Sequence, residues 1–382
     1  MKKKIQNCDI KDDIGICGTK EKIRVLHITT DFPFMKDEKI CSYGGLGLCV
    51  EQLVNGLLRR GLDVDILSRE ENNIEQEMII GRIYRTRFIK LSDSRDWKLT
   101  HSFTILPKYL YLLWMKDYDI IHAHNPPAAL FSIPIARLLG KKTVLTMHGP
   151  WAKVRDRFKY LADVIEWIAI YCADAVTFDS LSLCVSYGFN DKFTPISNAV
   201  DTKMFRKMSK WKCRKRLNLP IKGRLILYSG RNVYGKNVDA LRLISDKFNG
   251  AKLIFAGSDI KDDSVINLGV VSNSDMPYVY NACDCLVLDS SAEGMSRAVL
   301  EAMSCECPVF LSTLSSNYEI LGDSRGGVIF DDKYDLISKF NSMKKDELRN
   351  IGPKARNRIK KCFYISKRID SFIDIYNKLL KQ

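Results

Sequence analysis

Arg224-Leu-Ile-Leu-Tyr-Ser-Gly-Arg-Asn-Val-Tyr-Gly-Lys-Asn-Val-Asp-Ala-Leu241, RLILYSGRNVYGKNVDAL, compresses a strand, a turn and the start of a helix into one short stretch. Its apolar run stops at Gly230, a loop with Arg231 and Lys236 follows, and helical spacing begins near Asn237. A short apolar run bounded by glycine reads as a buried strand. Both cations then stand at that strand's carboxyl end. The question is what precedes and follows this unit.

The same grammar already runs through the first half of the chain. Strands are expected at Lys22–Thr29, Asp63–Ser68, Asp119–His122, Thr143–Met147 and Ala175–Phe178, with helices over 46–60, 127–139 and 158–170. The first helix stops at Gly61, a common helix end. After residue 224 the pattern restarts: strands at Lys252–Ala256, Cys285–Leu288, Val309–Ser312 and Val328–Phe330, helices at 237–248, 276–281 and 297–304. Alternating strands and helices predict parallel sheets covered on both faces. Two such runs flanking KMSKWKCRKR predict two doubly wound α/β domains with a ligand cleft beyond the strands' carboxyl ends. The expected division is a flexible arm (1–20), a first domain (21–205), a basic linker (206–222), a second domain (223–362) and a final helix (363–382) packed back on the first.

The totals agree with two domains: 382 residues, 46% hydrophobic and 27% charged. No stretch reaches eighteen uncharged apolar residues, and the N-terminus has no apolar signal segment, so a cytoplasmic protein is expected. Its 12 cysteines lie mostly in apolar runs, where a thiol acts as a small hydrophobe. The net charge of +15 favours anionic partners such as nucleotides or phospholipid headgroups. Nucleic acid is disfavoured because no recognised motif accompanies the charge.

Four stretches carry candidate chemistry. Ser42-Tyr-Gly-Gly-Leu-Gly47 puts Gly45 and Gly47 ahead of a helix, where backbone N–H groups approach an anion. It is neither a dinucleotide fingerprint nor a P-loop. Arg231 and Lys236 read equally as a clamp suited to a diphosphate or as two ordinary cations of a solvated loop. In SSAEGMSRAVLEAM, Glu293 falls in a loop, Ser296 at a cap position and Glu301 on the following helix, two carboxylates suited to sugar or ribose hydroxyls. The helix N-terminus there favours phosphate, while a surface Glu and a dipole-stabilising Glu are the plainer reading. Finally, His148 ends a strand and is a candidate donor to substrate. His122 and His124 share a strand face, but no neighbouring carboxylate or cysteine completes a metal site, so none is expected.

Taken in order, SYGGLGLCVEQLVNGLLRRGLDVDIL, DIIHAHNPPAAL, TVLTMHGP, ISNAVDTKMF, YSGRNVYGKNVDAL and SSAEGMSRAVLEAMSCECPVF resemble the GT-B retaining glycosyltransferases of family 4, the glycogen-synthase-like group 1 type. The resemblance implies two Rossmann-like domains facing across a cleft and a nucleotide-sugar donor (UDP-, GDP- or ADP-linked) bound mainly by the second. It implies that Arg231 and Lys236 hold the diphosphate, Glu301 the ribose and Glu293 the transferred sugar. The backbone of Gly294, Met295 and Ser296 would meet sugar and phosphate, the Gly45–Gly47 loop the diphosphate, and His148 the sugar. It implies transfer of a hexose-type sugar with retention to a glycan, lipid-linked or small-molecule acceptor, with no metal and no cofactor beyond the donor. Met295 and Ser296 replace the commoner Phe-Gly, and Glu306 and Ala199 stand at usual glycine positions. The alternatives are a nucleotide-sugar epimerase or glycan phosphorylase of the same fold, or a non-catalytic nucleotide- or anion-binding protein. Tyr109, Tyr111, Trp114, Trp151, Arg155 and Arg157 suggest a face that rests on an anionic inner-membrane surface.

Overall fold

The computed structural model describes residues 22–36, 39–41, 44–69, 82–86, 97–151, 159–232, 235–257, 260, 262–324 and 326–382. The expected N-terminal arm lies outside them, as do Arg155 and Arg157. The first half runs β1 (Arg24–Thr29), a short antiparallel pair β2 (Phe34–Lys36) and β3 (Lys39–Cys41), α1 (Gly45–Arg59), β4 (Asp63–Arg69) and β5 (Arg82–Thr86). It continues through α2 (Trp97–Thr104), α3 (Leu106–Met115), β6 (Ile120–His124), α4 (Pro126–Leu138) and β7 (Lys142–Met147). Then come α5 (Lys159–Cys172), β8 (Ala175–Phe178), α6 (Leu181–Ser186) and β9 (Phe193–Pro195).

The second half opens with α7 (Lys210–Arg216), β10 (Arg224–Ser229), α8 (Val238–Leu243), β11 (Ala251–Ala256) and β12 (Ile266–Asn267). It proceeds through α9 (Met276–Ala282), β13 (Cys285–Leu288), α10 (Arg297–Ser304), β14 (Val309–Ser312), α11 (Ser315–Leu321) and β15 (Gly327–Phe330). The chain closes with α12 (Lys333–Ser342), α13 (Lys345–Cys362) and α14 (Ile365–Leu380).

Both sheets are parallel. Their orders are β5-β4-β1-β6-β7-β8-β9 and β12-β11-β10-β13-β14-β15. In each, the strand order reverses beside the first strand, between β1 and β6 and between β10 and β13. Loops leaving such a switch point diverge and open a crevice at the carboxyl ends. The inner strands are buried, as sheets covered on both faces require, while the edge strands β5, β9, β12 and β15 are mostly half-buried. The expected strands and helices recur within a residue or two, with one exception. The helix expected over 237–248 stops at Leu243, and a 3-10 turn takes Ser245–Lys247. Ser and Asp there are weak helix formers.

The final helix packs on the first sheet's side: Ile369, Phe372, Tyr376 and Leu379 share a core with Val25, Val50 and Leu53. Gly56 of α1 permits the close approach, because a Cβ there would overlap Ile369. The basic 206–222 stretch, expected as the interdomain linker, contains α7. Its α7 packs on the second domain, with Cys213 and Arg214 buried, and Arg214 donates to the Ala282 carbonyl at 2.8 Å. The inner edge of that helix is Cys213 and Arg214, and Trp211 meets solvent together with Lys212, Lys215 and Arg216. Glu306 keeps the left-handed turn of the glycine it replaces, at φ 59°, a conformation costing a non-glycine roughly 1–2 kcal/mol.

Two surface expectations also change. Tyr109 and Trp151 belong to the core, 1% and 8% exposed, whereas Tyr111 and Trp114 do face solvent. Among the described residues no helix is long and apolar enough to cross a membrane.

Candidate active site

The second domain contributes the loops after β10 and β13. Lys236 pairs with Ser290 in an isolated antiparallel bridge, which aligns the two loops side by side. The Lys236 ammonium consequently lies 2.8 Å from the Glu293 carboxylate, and Ser290 Oγ donates to the same oxygen at 3.4 Å. Arg231, two residues past the end of β10, is exposed in the cleft. Its guanidinium sits beside Gly44 of the first domain, where a built Cβ would be 3.1 Å from it. The glycine-rich turn thus lets backbone approach the cations. Gly45 begins α1 beside Arg297, and Gly47 is buried two residues on.

Glu301 lies deeper. Its carboxylate accepts from Arg297 at 3.0 Å and from the Tyr280 hydroxyl at 2.9 Å, and it is buried. Burial raises its pKa and Arg297 offsets part of that rise. Arg297 takes both lone pairs of Oε1, through Nε at 3.3 Å and a terminal nitrogen at 3.0 Å, so an additional hydroxyl donor fits only at Oε2, beside Tyr280. Ser296 takes the cap conformation of α10, but its side chain makes no capping bond. Met295 is packed into the second-domain core, so its side chain cannot read a sugar and only its backbone faces the first domain.

The first domain brings His148, and with it residues the sequence reading did not single out. His148 Nδ1 lies 2.7 Å from Asp179 Oδ2, and Nε2 lies 3.0 Å from His124 Nδ1. His124 Nε2 is in turn 2.9 Å from His27 Nδ1, and His27 Nε2 is a buried atom with no hydrogen-bond partner among the described residues. Burial alone would lower the His148 pKa, but the Asp179 carboxylate overrides it and raises it to about 9. A charged His148 donates from both nitrogens. His124 must then accept at Nδ1 and donate from Nε2, so the tautomers of three rings are linked. His122 is satisfied separately, by the Tyr376 hydroxyl at 2.6 Å and Thr146 at 2.7 Å.

Asp179 also accepts from Asn198 Nδ2 at 3.0 Å and from Arg368 of α14 at 3.2 Å. Arg368 donates to Asn198 as well. The sequence hid Arg368 inside a basic cluster, although Asp179, one residue past β8, held a strand-end position like that of His148. Nitrogen atoms of His27, His122 and His124 lie within 4.8 Å of one another, as do ligand atoms of Cys49, His148 and Asp179. The first group has the donor types of a zinc site, but both His122 nitrogens and both His124 nitrogens already bond within the protein.

The domains meet closely around this centre. A Cβ on Gly294 would overlap the His148 carbonyl oxygen, so only glycine allows the Glu293 loop to touch the His148 strand end. Asn198 donates across the boundary to the Met295 carbonyl at 3.2 Å, and Arg297 reaches Cys49 at 3.8 Å. Burial would raise the Cys49 thiol's pKa, but Arg297 and His148 bring it below its ordinary value. Glu319 of α11 accepts from the Leu181 and Ser182 amides at 2.9 Å each, capping α6 of the other domain. Arg231, Lys236, Glu293, Gly294, Gly45 and His148 are thereby gathered at one interdomain seam, with Glu301 behind it.

Two parallel, doubly wound domains meeting at such a seam have the GT-B architecture of glycosyltransferases. Sucrose-phosphate synthase from Thermosynechococcus elongatus superposes with a TM-score of 0.82 at 18% identity, over 94% of this chain and 100% of that one. The Glycosyltransferase Family 4 profile matches residues 43–204 and the Glycosyl transferases group 1 profile residues 209–362, and the chain belongs to this family of glycosyltransferases. Among its relatives, an uncharacterised glycosyltransferase of Methanocaldococcus jannaschii is 26% identical over 75% of this chain and 80% of its own. The UDP-Gal:alpha-D-GlcNAc-diphosphoundecaprenol alpha-1,3-galactosyltransferase of Escherichia coli is 27% identical over 70% and 77%.

Proposed function

We propose that the protein transfers a hexose-type sugar from a nucleotide-sugar donor, with retention at the anomeric carbon, to a lipid-linked glycan acceptor. The observation that carries the donor side is the Lys236–Glu293 pair beside His148, with Arg231 against the glycine turn. Departure of a nucleoside diphosphate leaves negative charge on its terminal phosphate and positive character on the sugar. Arg231, Lys236 and the N–H groups at the start of α1 stabilise the former, the kind of preorganised term that dominates many barriers. Glu293 binds sugar hydroxyls on the opposite side of the reacting bond, and Glu301 accepts from the ribose. His148, held charged by Asp179 and with both N–H groups taken by Asp179 and His124, acts on the donor through its positive charge. The leaving phosphate takes the acceptor's proton on the face it vacates, which yields retention without a metal.

The acceptor side rests on the outer layer of the first domain. Along α5, Tyr160, Val164, Trp167 and Tyr171 point outward while Ala162, Ile165 and Ala169 point inward, so the helix is apolar on both faces. Such a helix normally has both faces covered. Trp114 and Phe103 on neighbouring helices of the same domain are also exposed, and Arg137 and Lys192 gather where α5 ends. Aromatic rings with nearby cations suit the interface of an anionic membrane, where a lipid-linked acceptor resides. The diphosphoundecaprenol-linked acceptor in the Escherichia coli relative's name is of this class.

The deciding experiment follows donor consumption and product stereochemistry by NMR, with vesicles carrying lipid-linked sugar acceptors. Wild type should give the retained anomer, and Glu293→Gln and Lys236→Ala should be strongly impaired. An inverted product, or near-native rates in both variants, would overturn the proposal.

A further inference from the structure

The run KMSKWKCRKR takes no part in the cleft, yet it is the densest cluster of cations in the chain. It wraps the opposite end of the second domain, beside the amino ends of β10, β13 and β14. A cavity of about 490 Å³ opens there, lined by seven cations and only two carboxylates, Asp284 and Glu306.

Some of those cations build the wall. Lys210 and Arg214 share Asp284 at 2.6 and 2.7 Å, and Arg214 also donates to the Ile221 and Gly223 carbonyls at 3.0 Å each. Arg224 donates to the Met343 carbonyl at 3.3 Å. Glu306 is taken by Lys207 at 3.8 Å. The rim is left with Lys222 and Lys345, which form no ion pair among the described residues, and with Arg349, whose partner Asp346 is itself solvent-exposed. Three cations converging on a concave surface repel one another and draw in an anion of matching charge. The floor is different in character: Tyr280, Leu348, Pro308 and the buried thiols of Cys283, Cys305 and Cys307. Polar groups at a rim above an apolar floor hold a ligand with a carbon skeleton and anionic ends.

We propose that this cavity is a second ligand site, for a small organic molecule bearing two phosphates, separate from the catalytic cleft. Lys222, Lys345 and Arg349 bind the phosphates, and Tyr280 and Leu348 contact the carbon frame. Tyr280 also donates to Glu301, so the site's floor touches a residue of the cleft.

The test is calorimetric titration of the full chain with a hexose bisphosphate and, separately, with inorganic pyrophosphate. The bisphosphate should bind, and Lys222→Gln/Lys345→Gln/Arg349→Gln should weaken it at least about tenfold. The charge-keeping variant Lys222→Arg/Lys345→Arg/Arg349→Lys should retain binding, which separates charge from any folding defect. Arg231→Ala/Lys236→Ala, which disables the proposed diphosphate clamp in the cleft, should leave this binding unchanged. The proposal is overturned if the bisphosphate fails to bind, if the cleft variant abolishes binding, or if the rim variant binds like wild type. Pyrophosphate binding equal to that of the bisphosphate would overturn the organic part, since the apolar floor would then contribute nothing.

Discussion

Lys236 and Glu293 meet at 2.8 Å although they leave the carboxyl ends of different strands. Under the proposed function, a donor diphosphate competes with Glu293 for the same ammonium. Glu293→Gln removes the competitor, so free nucleoside diphosphate should bind at least as tightly as to wild type while sugar transfer falls. Lys236→Ala should weaken diphosphate binding and lower kcat by about 100-fold or more, the scale of losing one positioned charge-stabilising donor. Calorimetry with UDP, GDP and ADP alongside turnover assays separates the two effects. Weaker nucleotide binding by Glu293→Gln would contradict a competing role.

Gly294 lets the Glu293 loop reach the His148 carbonyl. Gly294→Ala should leave each domain folded but push the seam apart, since overpacking costs about 1–3 kcal/mol. At roughly 1.4 kcal/mol per tenfold, closure becomes about 5- to 150-fold less favourable. Small-angle scattering should then show a larger radius of gyration and kcat/KM should fall. An unchanged radius with unchanged kcat/KM would show that this contact is dispensable.

The buried histidines give stability an acid limit. Burial lowers the His27 pKa to about 3, and burial with neighbouring histidines puts His122 and His124 well below 6.5. Below pH 6.5 the unfolded chain binds protons at these sites that the folded one refuses. Stability present above pH 6.5 is thus lost as pH falls, at about 1.4 kcal/mol per unit per group. His148, raised to about 9, has the opposite sign: its contribution is full below 6.5 and lost as pH rises through 9. Urea midpoints should peak near pH 6.5–7 and drop by 5.5, where most carboxylates remain ionised. His27→Gln should make the acid slope shallower by about one proton. A flat midpoint from 6.5 to 5.5 would refute the assignment.

Much of this was legible because local pattern encodes it. Glycine-bounded apolar runs placed nearly every strand, and strand ends placed His148, Arg231 and Glu293. The Arg297–Glu301 pair, four apart on one helix, was equally readable but overlooked. The rest depends on tertiary approach. Nothing local joins His27 to His124 across 97 residues or Asp179 to Arg368 across 189. Nor does composition tell a buried Arg368 from solvated neighbours, or a core Tyr109 from an exposed Tyr111. Side-chain direction on a helix decides both, and only packing fixes it.

That distinction carries the last prediction. The outward faces of α3 and α5 present Trp114 at 81% exposure and Trp167 at 64%, with Trp167 stacked on Tyr171 at 5.2 Å. An exposed indole gains little in water and much at a headgroup boundary, where its apolar body is buried and its N–H stays wet. Burying both rings is worth a few kcal/mol at about 25 cal/mol per Å². Trp114→Ser/Trp167→Ser should therefore cut sedimentation with anionic vesicles by at least about tenfold, yet leave the melting temperature near wild type. Raising salt should weaken wild-type binding as the cations are screened. Sedimentation velocity supplies the competing outcome. If wild type ignores anionic vesicles but forms a dimer that the double variant loses, a second copy covers this face and the membrane reading fails.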